Sequence, residues 1–77
     1  MPQTYVVLTT RSKSNRLFLG VSGTLAHRGG ARLVWYEEFP GRLQAARREA
    51  DIKRWARGCK IALIERLNPG WMDLSVR

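Results

Sequence analysis

The sequence has few of the residues that build cross-links or metal centres. Its 77 residues include one cysteine, Cys59, and one histidine, His27. A disulfide framework needs cysteine pairs and a structural zinc site needs several cysteine or histidine ligands, so both are excluded. No apolar run approaches the roughly 18 residues of a membrane-spanning helix. Residues 1–4 also lack the basic-then-apolar layout of a signal peptide, and we expect a cytoplasmic protein in a reducing compartment.

Acidic residues are also scarce. Six Asp and Glu stand against 14 Lys and Arg, which gives a formal net charge of +8. The first 31 residues contain no acid, while residues 45–60 hold a dense group of basic side chains. Such an excess favours a polyanionic partner, nucleic acid above all. A surface charged only for solubility is the plain alternative, and an acidic membrane surface is less favoured because neither predicted helix opposes a basic face to a bulky apolar one.

The length and the local patterns predict one α+β domain spanning residues 1–77. Segments rich in β-branched and aromatic residues indicate three strands, at residues 5–10, 17–21 and 32–39. Good helix formers predict helices at residues 43–55 and 59–67, separated at Gly58 and ended by Asn68. A short helical turn over residues 25–28, capped by Thr24, precedes the third strand. We expect a three-stranded, mainly antiparallel sheet flanked by helices, with residues 71–74 folded back on the core and Cys59 buried.

Several segments, in this order, resemble those of one protein family. They are Tyr-Val-Val-Leu at 5–8, Leu-Phe-Leu-Gly-Val at 17–21, Arg28 eight residues after Gly20, residues 33–39, residues 46–55, residues 60–65 and Asn-Pro-Gly-Trp-Met-Asp-Leu at 68–74. Together they resemble the GIY-YIG nucleases, and within them the small single-domain, excinuclease-C-like endonucleases. The two short triplets are weak evidence singly, whereas the C-terminal match is specific to this subfamily.

The resemblance implies a DNA endonuclease that uses one divalent ion, Mg²⁺ or Mn²⁺. In the family, a glutamate holds the ion, tyrosines position or deprotonate the attacking water, and an arginine meets the scissile phosphate. Carried over to this chain, Glu49 is the metal ligand and Arg28 the phosphate clamp. A carboxylate suits Mg²⁺, and a guanidinium matches two phosphate oxygens at once. The plain alternative for Glu49 is an exposed ion pair with Lys53, and for Arg28 a solvent-facing helix end.

Both motif tyrosines are replaced, by Val7 and by Phe18. Water activation would then fall to another group, and a weak or inactive site is one expectation. Tyr5 lies two residues before Val7 on the same strand face and is a displaced substitute. His27 adjoins Arg28 and is a second candidate base, although a lone histidine in such a place is more often solvated.

The chain is also short between Arg28 and the third strand, where family members carry about fifteen more residues, including most of a helix. The shortened first helix exposes apolar surface, and a homodimer would cover it. The residues expected to contact nucleic acid are Arg28, Arg32, Lys53, Arg54, Arg57 and Lys60. Three functions therefore stay open: a degenerate DNA endonuclease, a non-catalytic DNA-binding module and a dimeric adaptor.

Overall fold

The structure, a computed structural model, describes residues 3–11, 16–25 and 31–75. Its elements are β1 (Thr4–Arg11), β2 (Leu17–Ser22), β3 (Ala31–Phe39), α1 (Arg42–Lys53) and α2 (Arg57–Leu67). The expected α+β fold is confirmed, with one three-stranded antiparallel sheet and two C-terminal helices. The longer helix has twelve residues, and neither helix in the described ranges has the length and apolar character to span a bilayer.

The sheet has the order β2-β1-β3, so β1 is its central strand. Val7 lies opposite Gly20 on one side and Tyr36 on the other. On β3 the register shifts, because Leu8 pairs with Trp35 while Thr9 pairs with Leu33. Val34 is therefore an extra residue on β3, a bulge that locally increases the twist of the strand.

The core lies on one face of this sheet. Val6 and Leu8 of β1 alternate onto that face and pack with Ala45, Ile52 and Ile64 of the two helices. Each of these five side chains is fully buried. Trp35 packs in the same cluster, with Trp55 and Trp71 partly buried at its margin. All three tryptophans thus have a packing role.

Two sequence expectations about the start of α2 are wrong. The helices are not separated at Gly58 but at residues 54–56, where Trp55 N–H donates to the Ile52 carbonyl and Ala56 is extended. Gly58 is the second residue of α2, where its own amide has no intrahelical acceptor, so glycine does not interrupt the hydrogen bonding of the helix there. Cys59 is exposed rather than buried. It lies five residues, or roughly 140° around the helix, from the buried Ile64, and so faces solvent.

The C-terminal segment folds back as expected. Leu74 N–H donates to the Leu33 carbonyl at 2.8 Å, and Leu33 N–H donates to Asp73 Oδ1 at 3.1 Å. These bonds occupy the outer edge of β3, which would otherwise present unpaired backbone groups to another chain. Trp71 adopts φ 53°, a costly conformation for a residue other than glycine, and its indole Nε1–H donates to Glu65 at 2.8 Å.

Candidate functional site

Four basic residues meet where α1 ends and α2 begins. Lys53 is the last residue of α1, Arg54 follows it, and Arg57 and Lys60 lie in the first turn of α2. We call this group, Lys53, Arg54, Arg57 and Lys60, the basic corner. Lys53, Arg54 and Arg57 are exposed and Lys60 is half-buried. The structure therefore brings together four of the six residues expected to contact nucleic acid.

The backbone adds to the positive potential of the basic corner. α2 begins at Arg57 with Ala56 as its N-cap, and no side chain caps the helix. Its first turn contains no acidic residue. Free amides and the positive end of the helix dipole therefore point toward the corner, and both favour an anion.

Most of the acidic side chains already have partners, and one of these partners, Arg54, belongs to the basic corner. Glu37 pairs with Arg48 at 2.9 Å and Asp51 pairs with Arg54 at 3.0 Å. Three others accept hydrogen bonds, Glu38 from Tyr5, Glu65 from Trp71, and Asp73 from the amides of Leu33 and Ser75. Among the residues whose side chains are described, six basic ones have no ion-pair partner: Arg32, Arg42, Arg47, Lys53, Lys60 and Arg66. The excess of positive charge is thus largely left on the surface.

Arg32 does not belong to the basic corner. It lies on β3, where its Nη1 donates to the Trp71 carbonyl at 3.4 Å. Its guanidinium therefore helps to hold the C-terminal segment against the strand. Arg28 and His27 lie outside the described residues.

Glu49 occupies a half-buried position on the sheet side of α1. It lies one turn from both Ala45 and Ile52, which are buried. Ala45 and Ile52 form the buried stripe of α1, and Arg48 lies on the flank of this stripe opposite Glu49. Arg48 pairs with Glu37 of β3, so the flank with Glu49 faces the other way, toward β2. The ion pair with Lys53, the plain alternative, is not formed within the described part of the chain.

The donor set for a metal ion is small. No group of three or more His, Cys, Asp or Glu side chains lies together among residues 3–11, 16–25 and 31–75. Mg²⁺ keeps several waters and often takes only one or two protein carboxylates, with substrate phosphates completing its shell. Glu49, half-buried and without an ion pair in the described ranges, fits that limited role as a single ligand.

Tyr5 is a poor substitute for the missing motif tyrosines. Partial burial of its ring raises the pKa of Tyr5 above its usual value near 10, and the Glu38 carboxylate, which accepts its hydrogen bond, raises the pKa further. Near neutral pH the phenol is therefore protonated, and its proton is already engaged by Glu38. A group in that state does not accept a proton from water.

The two motif positions face away from the helices. Side chains alternate along a strand, so Val7 points to the side of the sheet opposite Val6 and Leu8. Phe18 shares that side, since its partner Thr9 lies two residues from Val7. We call this side, which carries Tyr5, Val7, Phe18, Gly20 and Tyr36, the distal face. The helix with Glu49 packs on the other side.

Two contacts in the structure were not expected from the sequence. Arg48 lies 5.3 Å above the ring of Trp55 in addition to its ion pair with Glu37, and it thereby fixes α1 against β3. Its place on the flank of the buried stripe of α1 was the available signal. Arg16 lies 5.8 Å from the centre of the Phe18 ring. No sequence pattern pointed to that pair.

A shallow cavity of about 270 Å³ lies between β3 and α2. Trp35, Leu63 and Leu67 line it together with the Arg48–Glu37 ion pair. Both charges of that pair are already matched, and neither Glu49 nor Tyr5 lines the cavity. Tyr36 and Arg66 line it as well, and Arg66 has no ion-pair partner in the described ranges, so the unpaired charge at this cavity is a cation and not a carboxylate.

Comparison of the chain with protein-family models, with curated proteins and with solved structures finds no match.

Proposed function

We propose that this protein binds nucleic acid, with DNA as the principal partner, through phosphate contacts at the basic corner. The observation that carries the proposal is the convergence of Lys53, Arg54, Arg57 and Lys60 at the uncapped start of α2. Cations at such a point attract phosphates by charge and by direct N–H donation. The resemblance to nucleic-acid enzymes points to the same class of partner.

Phosphate contacts position a protein on DNA but carry no sequence information. Both described helices begin or end in basic residues at the corner, and binding with little sequence preference is the expected behaviour. A cytoplasmic location accompanies this function, since the one cysteine is exposed and unpaired with any second cysteine in the chain.

Salt dependence of binding is the decisive test. A protein that neutralises four to six phosphates of duplex DNA gives a slope of roughly −4 to −5 for log K against log[salt]. Fluorescence anisotropy with a labelled duplex, measured between about 50 and 200 mM salt, should show that slope. A flat slope, or no binding at about 50 mM salt, would overturn the proposal and favour the dimeric adaptor.

A pair of double variants locates the contacts. Lys53→Gln with Arg57→Gln removes two charges from the basic corner and should make the slope less negative by about 1.8. Arg47→Gln with Arg66→Gln removes the same charge elsewhere on the two helices and should change the slope by less than half as much. Equal effects would mean that the positive charge acts diffusely and that the corner is not the site.

Metal-dependent cleavage of DNA is the second candidate function. It is favoured by Glu49, a half-buried carboxylate with no ion pair in the described ranges, at the position of the glutamate that the resemblance assigns to the metal. When bound, the ion would supply Lewis-acid stabilisation of the phosphate. Cleavage of supercoiled DNA with Mg²⁺ or Mn²⁺ that disappears in Glu49→Gln, with binding unchanged, would support it. Cleavage that persists in Glu49→Gln would exclude Glu49 from the reaction.

The proposal includes a homodimer. Apolar side chains on the two outer strands are partly exposed, among them Phe18, Val21 and Tyr36. A second copy would bury some of this surface, and sedimentation velocity at micromolar concentration should then show a dimer, whereas a monomer alone would exclude it.

A further inference from the structure

The outer edge of β3 is closed at its beginning and open at its end. The C-terminal segment bonds to Leu33, and Asn68 Nδ2 donates to the Val34 carbonyl. Beyond this point, from Trp35 to Phe39, no strand pairs with the outer edge and no hydrogen bond reaches it within the described part of the chain. An ordered strand with an open edge is a template for pairing with another chain.

Tyr36 and Glu38 direct their backbone groups to the open side. Leu33 bonds outward to the C-terminal segment, so Thr9, its partner on β1, directs its own groups to β2. Backbone groups alternate between the two sides of a strand, so the residues two and four positions before Thr9 also bond toward β2. Their partners on β3 are Tyr36 and Glu38. Each of these two residues therefore presents one N–H and one carbonyl to the open side.

Apolar side chains border the same edge. Two cavities, of about 270 and 410 Å³, lie beside it, and Trp35, Tyr36 and Leu67 line both of them. Leu67, the last residue of α2, is 77% exposed, and Tyr36 is 39% exposed. A second chain at this edge would therefore gain backbone hydrogen bonds and bury apolar surface at the same time.

We propose that a second copy of this chain pairs with this edge through its own β3, so that the two sheets form one antiparallel sheet of six strands. The inference rests on the homodimer of the proposed function and names its interface. A twofold axis beside Glu37 places Tyr36 of each copy opposite Glu38 of the other. Because these residues present both a donor and an acceptor, four N–H to carbonyl bonds form across the axis.

Only this register uses all of the open groups. A shift by one bonded pair in one direction would place Glu38 opposite Val34, whose carbonyl already accepts from Asn68. A shift in the other direction would place Tyr36 opposite Pro40, which has no amide N–H. The residues along the edge thus specify how a second copy pairs with it.

The charges near the axis are compatible with a second copy. Each Glu37 lies opposite the same residue of the other copy, and like charges in that position repel. Each of them, however, already pairs with Arg48 at 2.9 Å. Arg66 lines the cavity beside Glu37 and has no ion-pair partner in the described ranges. Two carboxylates at the axis would therefore have four guanidinium groups around them, which offsets the repulsion.

Four variants test the edge, two at the interface and two as matched controls. Glu38→Pro removes an outward N–H, and Val21→Pro removes one from the outer edge of β2 by the same alternation. Leu67→Lys places a charge beside Tyr36, and Leu43→Lys makes the same change at a 63% exposed site on α1. Sedimentation velocity should show a wild-type dimer at micromolar concentration. The two interface variants should weaken dimerisation by about tenfold or more and the controls by less than about twofold, with urea unfolding confirming that each variant is folded.

A cysteine at the axis tests the register. In the Cys59→Ser background, which removes the natural cysteine, Glu37→Cys should form a disulfide between two copies on mild oxidation. The Cα atoms of such an opposed pair lie about 4.5 Å apart, which is within the range that a disulfide spans. Val21→Cys, on the outer strand at the other side of the sheet, should not cross-link. The fraction of cross-linked dimer on a non-reducing gel is the measurement.

The outcomes separate this inference from the proposals before it. A monomeric wild-type protein would overturn the homodimer and its interface together, while salt-dependent binding of DNA would be unaffected. A dimer that persists in Glu38→Pro and Leu67→Lys, or that Val21→Pro dissociates, would overturn the β3 interface and keep the homodimer. A dimeric Glu37→Cys protein that does not cross-link would exclude a twofold axis beside that residue.

Discussion

Replacement of Asn68 should cost a large part of the stability of this fold. The residue is 5% exposed and forms three side-chain hydrogen bonds. Its Nδ2 donates to the carbonyls of Val34 at 3.0 Å and Met72 at 2.9 Å, and its Oδ1 accepts from Met72 N–H at 3.0 Å. One side chain thus joins the end of α2, the bulge in β3 and the C-terminal segment.

The magnitude follows from those bonds. Each contributes about 1 kcal/mol net, and in Asn68→Ala the buried Val34 carbonyl also loses its partner, so the total loss is about 3 kcal/mol. A domain of this size has a free energy of unfolding of roughly 4–12 kcal/mol. The loss should lower the midpoint of urea unfolding by about 1–3 M with an unchanged m-value.

Asn68→Asp separates hydrogen bonding from volume. It matches asparagine in size but places a second acceptor against two carbonyl oxygens, so we expect it to be at least as destabilising as alanine near neutral pH. Asn68→Asp at wild-type stability, followed by the same urea unfolding, would refute the reasoning, because it would show that the donor to Val34 and Met72 contributes nothing.

Two further predictions concern the distal face. If the chain hydrolyses phosphodiesters with Glu49 as the metal ligand, Val7→Tyr with Phe18→Tyr should leave the rate of metal-dependent cleavage unchanged, because both positions lie on the side of the sheet opposite the helix that carries Glu49. A gain of about tenfold or more, of the size that general-base assistance contributes, would contradict this placement if Glu49→Ala abolished it. Glu38→Gln should bring the pKa of Tyr5 back toward 10, measured from the absorbance of the phenolate, since it removes the acceptor charge while the burial of the ring is kept. Because a raised pKa stabilises the fold only while the phenol is protonated, Tyr5→Phe should reduce the loss of stability above about pH 10; an unchanged alkaline unfolding profile would contradict the assignment.

The local sequence pattern was sufficient to predict the three strands of this fold. The predicted strands at 5–10, 17–21 and 32–39 differ from β1, β2 and β3 by at most one residue at either end. Amino-acid composition determines where these strands form, since β-branched and aromatic side chains fit a half-buried pleated surface. The predicted return of residues 71–74 is also confirmed, because apolar side chains at a chain end are stabilised by packing.

The boundary between the helices could not be predicted from the residues alone. Glycine has a low helix propensity, and Gly58 therefore indicated a break. The actual break at residues 54–56 arises from tertiary packing, in which Trp55 packs against the core and Arg48 lies across its ring. Cys59 was misplaced for the same reason, because its burial depends on which side of α2 meets β3.

Part of the candidate site was predictable and part was not. The basic corner follows from the order of residues along the chain, because four cations within eight residues stay close when one helix ends and the next begins. The distal face depends instead on pairing between strands distant in sequence. The exposed rings of Phe18 and Tyr36 share a side only because both strands flank β1 in this register. A shift of one residue would turn either ring toward the helices.

The central strand and the basic corner depend on different parts of the chain. Val6 and Leu8 supply the core contacts of β1, while Tyr5 and Val7 alternate onto the distal face, where Val7 is 5% exposed. The basic corner is built where α1 ends and α2 begins, and it shares no residue with the strand. Substitution of its cations should therefore change the proposed affinity for phosphates without changing the free energy of unfolding that the core contributes.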